Sequence, residues 1–283
     1  MKMKRNYFLL IIVFIVLCGI SMVGSTQSNK NKKKNIVQNQ TSKIINIMPL
    51  GNSLTQASEP GYRGFLYNML DSAKYRIDFV GSKHDGKPTN CGDPDHSGFG
   101  GYVIGPNPSK GDDWDPWKHG DILYHLDQGY KIMNNNADVI ILEIGINDFF
   151  NDRDDYDPSI VGADRLDSLI AKMYKLSPEV VILVSNLTPV NWDANFGSLF
   201  NSEVPAIISK FKILGKKIYP VDLRNGINWK MSEDISSDQL HPTASGYKKM
   251  AKLFFSDLVP VLDSMSILEK GKNSLDINQD SNH

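Results

Sequence analysis

Cysteine is scarce in this chain: its 283 residues include two, Cys18 and Cys91. Cys18 falls in an apolar N-terminal stretch, so Cys91 stands alone in the body, and one thiol closes no internal disulfide. A stapled scaffold is thereby excluded. Long hydrophobic runs are also lacking, since the longest, Tyr7 to Ile20, falls short of the roughly 20 residues of a spanning helix. Acid is missing from the start of the chain, where none precedes Glu59. No internal repeat is visible, and no glycine-rich run leads into the lysine of a phosphate-binding loop.

What the N-terminus does hold is positive charge. Lys2, Lys4 and Arg5 precede the apolar run, and the small residues Gly24 and Ser25 follow it. That order reads as an export signal over 1–25, cleaved after Ser25, with an uncleaved signal anchor as the alternative. The expected location is therefore extracellular, with membrane attachment only if the segment is retained. Residues 26–42, rich in Asn, Gln, Lys and Ser, read as a disordered linker. Residues 268–283 read as a disordered polar tail. One domain is expected between them, over 43–267. Seven basic residues lie before position 35, leaving 24 against 32 acids and a net charge of −8 for the rest. So acidic a body is a poor match for nucleic acid, whose binding rests on phosphate neutralisation.

Within the domain, strand-like and helix-like segments alternate. Strands are expected at 44–50, 75–80, 138–144, 180–185 and 217–223. The third and fourth, built on DVIILEI and VVILVS, are nearly continuous runs of β-branched residues and Leu, as in central parallel strands covered on both faces. Helices are expected at 62–73, 121–134, 158–176, 199–211 and 243–262. In the last, Tyr247, Met250, Ala251, Phe254 and Leu258 recur at helical spacing and read as core. This alternation predicts an α/β layered fold: a flavodoxin-like, doubly wound, five-stranded parallel sheet with helices on both faces. Ligands of such sheets bind beyond the carboxyl ends of the strands, so functional residues should fall just after strands.

Three short words do. After the first strand comes Gly51-Asn52-Ser53-Leu54-Thr55, where Gly51 permits a tight turn and Ser53 is either an exposed hydroxyl or a helix cap. The second glycine of the G-x-S-x-G elbow is absent, which disfavours an α/β-hydrolase. After the third strand comes Gly145-Ile146-Asn147-Asp148, whose Asn amide either donates to a developing oxyanion or closes a turn. After the fifth comes Asp238-Gln239-Leu240-His241-Pro242, in which the Asp can fix the His tautomer and free the other ring nitrogen to act as base. Each alone has an ordinary structural explanation. Together they place a nucleophile, an oxyanion donor and an Asp/His pair on one rim.

These words resemble the conserved blocks of the SGNH (GDSL-type) hydrolase superfamily, over about residues 44 to 262. The resemblance implies Ser53 as nucleophile, Asp238 as orienting acid, His241 as base, and an oxyanion hole formed by Asn147, the Ser53 N–H and a glycine N–H. That glycine lies in Asp95-His96-Ser97-Gly98-Phe99-Gly100-Gly101-Tyr102; Gly101 fits the pattern, with Gly100 as the alternative. More narrowly, Ile47 to Thr55, Gly61-Tyr62-Arg63, Asp78 to Ser82 and Asp95-His96 resemble carbohydrate esterase family three, whose members deacetylate xylan. The chain departs from these patterns in Asn52 for the usual Asp, Ser97 for an acid and Gly100 for a Ser.

The resemblance implies a serine esterase needing no metal or other cofactor, with an acetylated polysaccharide or oligosaccharide as substrate. A short-chain or lysophospholipid esterase, or a non-catalytic carbohydrate-binding protein on the same fold, are the alternatives. Arg63, Trp114 and Trp192 are candidates for substrate contact; Trp117 and Trp229 also lie in expected loops. The acids and histidines between Asp93 and His119, and the acids from Asp152 to Asp157, lack the spacing of a metal site. Asn39 and Asn186 each begin a glycosylation sequon.

Overall fold

A computed structural model describes residues 43–57, 61–84, 92–105, 120–127, 136–150 and 158–280. The stretches read as an export signal and a linker, Cys91, Trp114, Trp117, the acids 152–157 and the Asn39 sequon lie outside these residues.

The first strand, β1 (Ile45–Gly51), is buried almost throughout. A single helical turn, α1 (Ser53–Gln56), follows it, then α2 (Tyr62–Ser72) and β2 (Ile77–Phe79). The two-residue strand β3 (Ser97–Gly98) comes next, then α3 (Ile122–Asp127) and β4 (Val139–Glu143). A 3-10 turn spans Ile146–Phe149, followed by α4 (Pro158–Leu176) and β5 (Val181–Ser185). The chain then forms α5 (Ser198–Ile213), β6 (Ile218–Val221), the short α6 (Met231–Asp234) and α7 (Ala244–Asp280).

All strand pairs are parallel, in the order β2-β1-β4-β5-β6, with β3 also on β1. The five strands expected from the sequence are present within a few residues, in the doubly wound order of a flavodoxin-like sheet. The sequence did not announce β3. It pairs only Leu50 and Gly51 with Ser97 and Gly98, too short a stretch for a periodic signal. β4 and β5 are buried at every position, as their nearly continuous apolar runs predict. Helices cover both faces: α2 packs on α7 and α4 on α5, the first pair through the Tyr62 and Phe254 rings at 4.8 Å.

One expectation needs correction. α7 does not stop at Leu262 but runs to Asp280, so most of the stretch expected to be a disordered tail is helical. The helix expected over 121–134 is seen as α3, and residues 128–135 lie outside the description.

Strand order reverses around β1, and β4 lies directly beside it. The ends of β1 and β4 meet at Gly51 and Glu143, and this crevice is where such sheets hold ligands. Gly51 is required there: a Cβ on it would lie 1.9 Å from the Glu143 carbonyl oxygen and 2.6 Å from Thr55 Oγ1.

Candidate active site

Ser53 opens α1 immediately beyond that crevice. Asn52 caps the turn, its Oδ1 accepting the Leu54 N–H at 2.9 Å. The amide thus supplies the acceptor that an Asp would supply, and the turn survives the departure from the family pattern. Its Nδ2 is buried and has no partner among the described residues, an arrangement that costs about 1–3 kcal/mol.

The loop before α7 carries the imidazole. An antiparallel bridge between Ile235 and Pro242 closes it, the Ser236 N–H donates to the His241 carbonyl at 2.8 Å, and Gln239 takes the left-handed conformation at φ 66°. This tight reversal sets Asp238 Oδ2 2.7 Å from His241 Nδ1. The other ring nitrogen, Nε2, lies 2.8 Å from Ser53 Oγ. Residues 188 positions apart in sequence therefore meet with the spacing of a nucleophile and its base.

Asp238 is held as an anion. Burial pushes its carboxyl up, but this is outweighed by hydrogen bonds from the Ser236 hydroxyl, the Leu240 and His241 N–H groups and the His241 ring, leaving it far below the usual carboxylate range. Ser236 Oγ donates to Oδ1 at 2.7 Å, and the two backbone N–H groups at 2.9 Å each. Oδ2 is left for the ring. An ionised acceptor at Nδ1 fixes the tautomer whose Nε2 can take a proton.

Two further groups expected at the oxyanion lie in the loops after β4 and β3. Asn147, in the 3-10 turn after β4, donates one Nδ2 hydrogen to the Tyr102 carbonyl at 2.9 Å; a primary amide has a second hydrogen to give. The Gly100–Gly101 loop runs beside the serine, since a Cβ on Gly100 would come within 4.0 Å of Ser53 Cβ. The Gly100 N–H is committed to Gln56 Oε1 at 2.7 Å. That favours Gly101, at φ 76°, as the glycine with an N–H to offer.

Arg63 is not a substrate contact. It is wholly buried, its Nε donating to the Thr55 carbonyl at 2.8 Å, Nη2 to that of Gln56 at 2.8 Å and Nη1 to that of Pro94 at 3.1 Å. It pins the end of the serine turn to the segment leading into β3. Trp229 is likewise structural, its Nε1 donating to the Leu223 carbonyl at 2.8 Å. Trp192 is 44% exposed, and the loop bearing it is tied to the His241 loop by the Asn191 N–H on the Gln239 carbonyl at 2.9 Å. Phe150, at 51% exposure, stands 6.0 Å from the Trp192 ring. The Asn186 amide donates to Asp222 at 2.7 Å, so this sequon's side chain is engaged within the fold. Among the described residues no cluster of metal-ligating side chains occurs.

Sequence reasoning gave no role to three further residues. Gln56 is the clip on the glycine loop. Asp148 is buried and accepts from the Ile104 N–H at 3.0 Å and from Arg165 at 3.2 Å, joining the Asn147 turn to the segment after Tyr102. Burial raises its carboxyl to about 6, against the pull of Ile104 and Arg165. Glu143, inside what reads as an apolar strand, is 1% exposed and accepts from Thr55 Oγ1 at 3.4 Å.

Burial raises the Glu143 carboxyl to about 8, opposed only partly by Thr55. A folded-state value above the unfolded one means stability is full below the unfolded value and is lost as pH rises through the folded one. The window runs from about 4.5 to about 8, and the cost above it is on the order of 5 kcal/mol. Thermal unfolding of the native protein is therefore expected to move to lower temperature between pH 6 and 9. Glu143→Gln, neutral throughout, should flatten that slope; an unchanged slope would mean that Glu143 does not titrate in this range.

Comparison with known proteins bears on the family and the fold. A family model described as GDSL-like Lipase/Acylhydrolase matches residues 47–254. A multidomain esterase of Ruminococcus flavefaciens is 28% identical over 232 residues, covering 76% of this chain and 28% of that protein. A putative endoglucanase X of Acetivibrio thermocellus is 30% identical over 131 residues, 46% of this chain and 54% of that protein. The chain thus spans about half or less of the curated relatives it matches. Among solved structures, a Clostridium thermocellum family 3 carbohydrate esterase is similar at TM-score 0.64 and 30% identity, covering 79% of this chain and 100% of that one. A carbohydrate esterase family 3 structure from Talaromyces cellulolyticus has TM-score 0.63 at 18% identity, over 78% and 99%, and shows the fold alone.

Proposed function

We propose, from the premise that this chain belongs to the GDSL-like lipase/acylhydrolase family, that it hydrolyses carboxylic esters with Ser53 as nucleophile. The observation that carries the reading is the continuous hydrogen-bond line from Ser53 Oγ through His241 to Asp238. His241 Nε2 takes the hydroxyl proton as Oγ attacks the ester carbonyl. The tetrahedral oxyanion is received by the second Asn147 hydrogen and the N–H groups of Ser53 and Gly101. The carbonyl re-forms, and the alcohol leaves with the proton from His241. Water then adds to the acyl-enzyme with His241 again as base, releasing the acid and restoring Ser53.

The substrate class we propose is an acetylated polysaccharide or oligosaccharide. The similarity to a family 3 carbohydrate esterase supports it, as do the exposed Trp192 and Phe150 rings, flat apolar faces against which a sugar ring can lie. Rates on acetylated xylan oligosaccharides, ethyl acetate, ethyl octanoate and a lysophospholipid, measured by acid release, form the test. The reading expects the acetylated oligosaccharide to have the highest kcat/KM, and Trp192→Ala to raise its KM about tenfold or more while leaving ethyl acetate unchanged. Preference for the octanoate or the lysolipid would overturn the carbohydrate assignment. We also propose export, on the strength of the N-terminal pattern; the N-terminal residue of the mature protein in its host tests that directly.

A further inference from the structure

The end of the sheet opposite Ser53 carries a surface that the proposed chemistry does not use. The strands begin there, and the α4–β5 and α5–β6 turns cap it. Between Val204 and Val221 lie four lysines and no acid, in a chain whose net charge beyond residue 34 is −8. At the tip of the second turn Ile213 is 86% and Leu214 62% exposed. Gly215 reverses the chain at φ 74°, and nothing lies within 4 Å of where its Cβ would be, so the tip projects into open space. In the neighbouring turn Leu176 is 48% exposed, beside Lys175.

Two of these lysines flank the tip in sequence, and their ammonium groups lie against aromatic rings. Lys212 lies over the Tyr219 ring at 5.8 Å, and Lys216 over the Tyr174 ring at 5.1 Å. Lys216 Nζ also donates to the Pro178 carbonyl at 3.2 Å, while Lys212 is exposed. Lys210 pairs with Asp167 at 2.7 Å and Lys217 with Glu179 at 3.6 Å. Both are surface pairs of the weak, salt-screened kind, and do not hold those charges against a denser anionic surface.

Exposed aliphatic side chains with lysines close by in sequence match one environment. Apolar side chains enter the acyl boundary of a bilayer while lysine heads remain at the phosphates, and each such lysine strengthens attachment to anionic lipid. An acidic protein partner would meet the charge, but it would also have to supply a pocket for two side chains that project rather than lie flat. We propose that this end of the domain rests on an anionic lipid bilayer, with Ile213 and Leu214 inserted and the Ser53 rim facing away. α5 links the two ends, since its 16 residues span roughly 24 Å.

The test uses the full chain, in which the apolar stretch Tyr7 to Ile20 would by itself hold the protein on vesicles, so the readout is local. In a Cys18→Ser, Cys91→Ser background, an environment-sensitive dye is attached through Ile213→Cys or, at the other end of α5, through Leu199→Cys. Each is titrated with neutral phosphatidylcholine vesicles and with vesicles enriched in phosphatidylglycerol. The dye at position 213 is expected to shift to the blue on anionic vesicles only, and to lose the shift at high salt, while the dye at 199 stays as in water. Lys212→Gln with Lys216→Gln should weaken the response about 30-fold, as two lysines lost from a charged surface imply. A dye at 213 that remains water-like while the chain floats with the vesicles would overturn the proposal. So would an equal shift on neutral vesicles, or one that follows protein concentration without lipid and thereby marks a second copy of the chain as the partner.

Discussion

Ser53→Ala is expected to lower kcat/KM on a small acetyl ester by about 10^4-fold or more, because the reaction then has no group to form the acyl-enzyme. His241→Ala should cost a similar factor, since Nε2, 2.8 Å from Ser53 Oγ, is the only neighbour described that takes the hydroxyl proton. The double variant should lose little beyond either single one. Groups acting as a unit are strongly non-additive, and the residual rate comes from binding and the oxyanion donors. Losses that multiply would mean the two side chains act in separate steps. Both residues lie at the rim rather than in the core, so the variants should keep the native circular dichroism and unfolding temperature. Activity of Ser53→Ala within a few-fold of the native protein would remove the serine from the mechanism.

The second large effect belongs to Asn147. Asn147→Ala should lower kcat about 10^2- to 10^3-fold with little change in KM, the signature of a donor that acts on charge developed in the transition state. The carbonyl of Tyr102 holds one amide hydrogen; in the proposed mechanism the second is given to the oxyanion, and a donor held in place beforehand is the effective kind. The alanine variant also takes the Tyr102 carbonyl's donor away, a loss of about 1 kcal/mol of stability. The split between kcat and KM separates the two roles, because a purely structural Asn147 would move the unfolding temperature and leave the kcat of the folded fraction intact.

Much of this architecture was legible in the residues. The nearly continuous apolar runs of β4 and β5 called for burial on both faces, and the sheet rule then carried three distant words to one edge. That Asp238 and His241 would face each other followed from their spacing, and the left-handed Gln239 supplies the reversal that the spacing needs. Arg63 shows the opposite case. A lone arginine in a loop-to-helix junction looks like a surface cation, and nothing local reveals that three carbonyls from two segments converge on it. Glu143 was hidden by its apolar neighbours in a strand whose pattern otherwise spoke for the core. Gln56 and Asp148 matter through partners 44 positions away in sequence, a distance over which short-range patterns carry no information. The continuation of α7 beyond Leu262 was not legible, because the apolar stripe ends there and the residues that follow are rich in Asp, Ser and Asn.

Labelling by an organophosphonate ester probes the central claim most directly, because only a serine activated by a neighbouring base reacts readily. Incubation of the native protein, followed by peptide mapping, should place one adduct on Ser53. His241→Ala should slow its formation by orders of magnitude, and Ser53→Ala should abolish it. An adduct on another residue, or labelling of Ser53 at an undiminished rate without His241, would contradict the account.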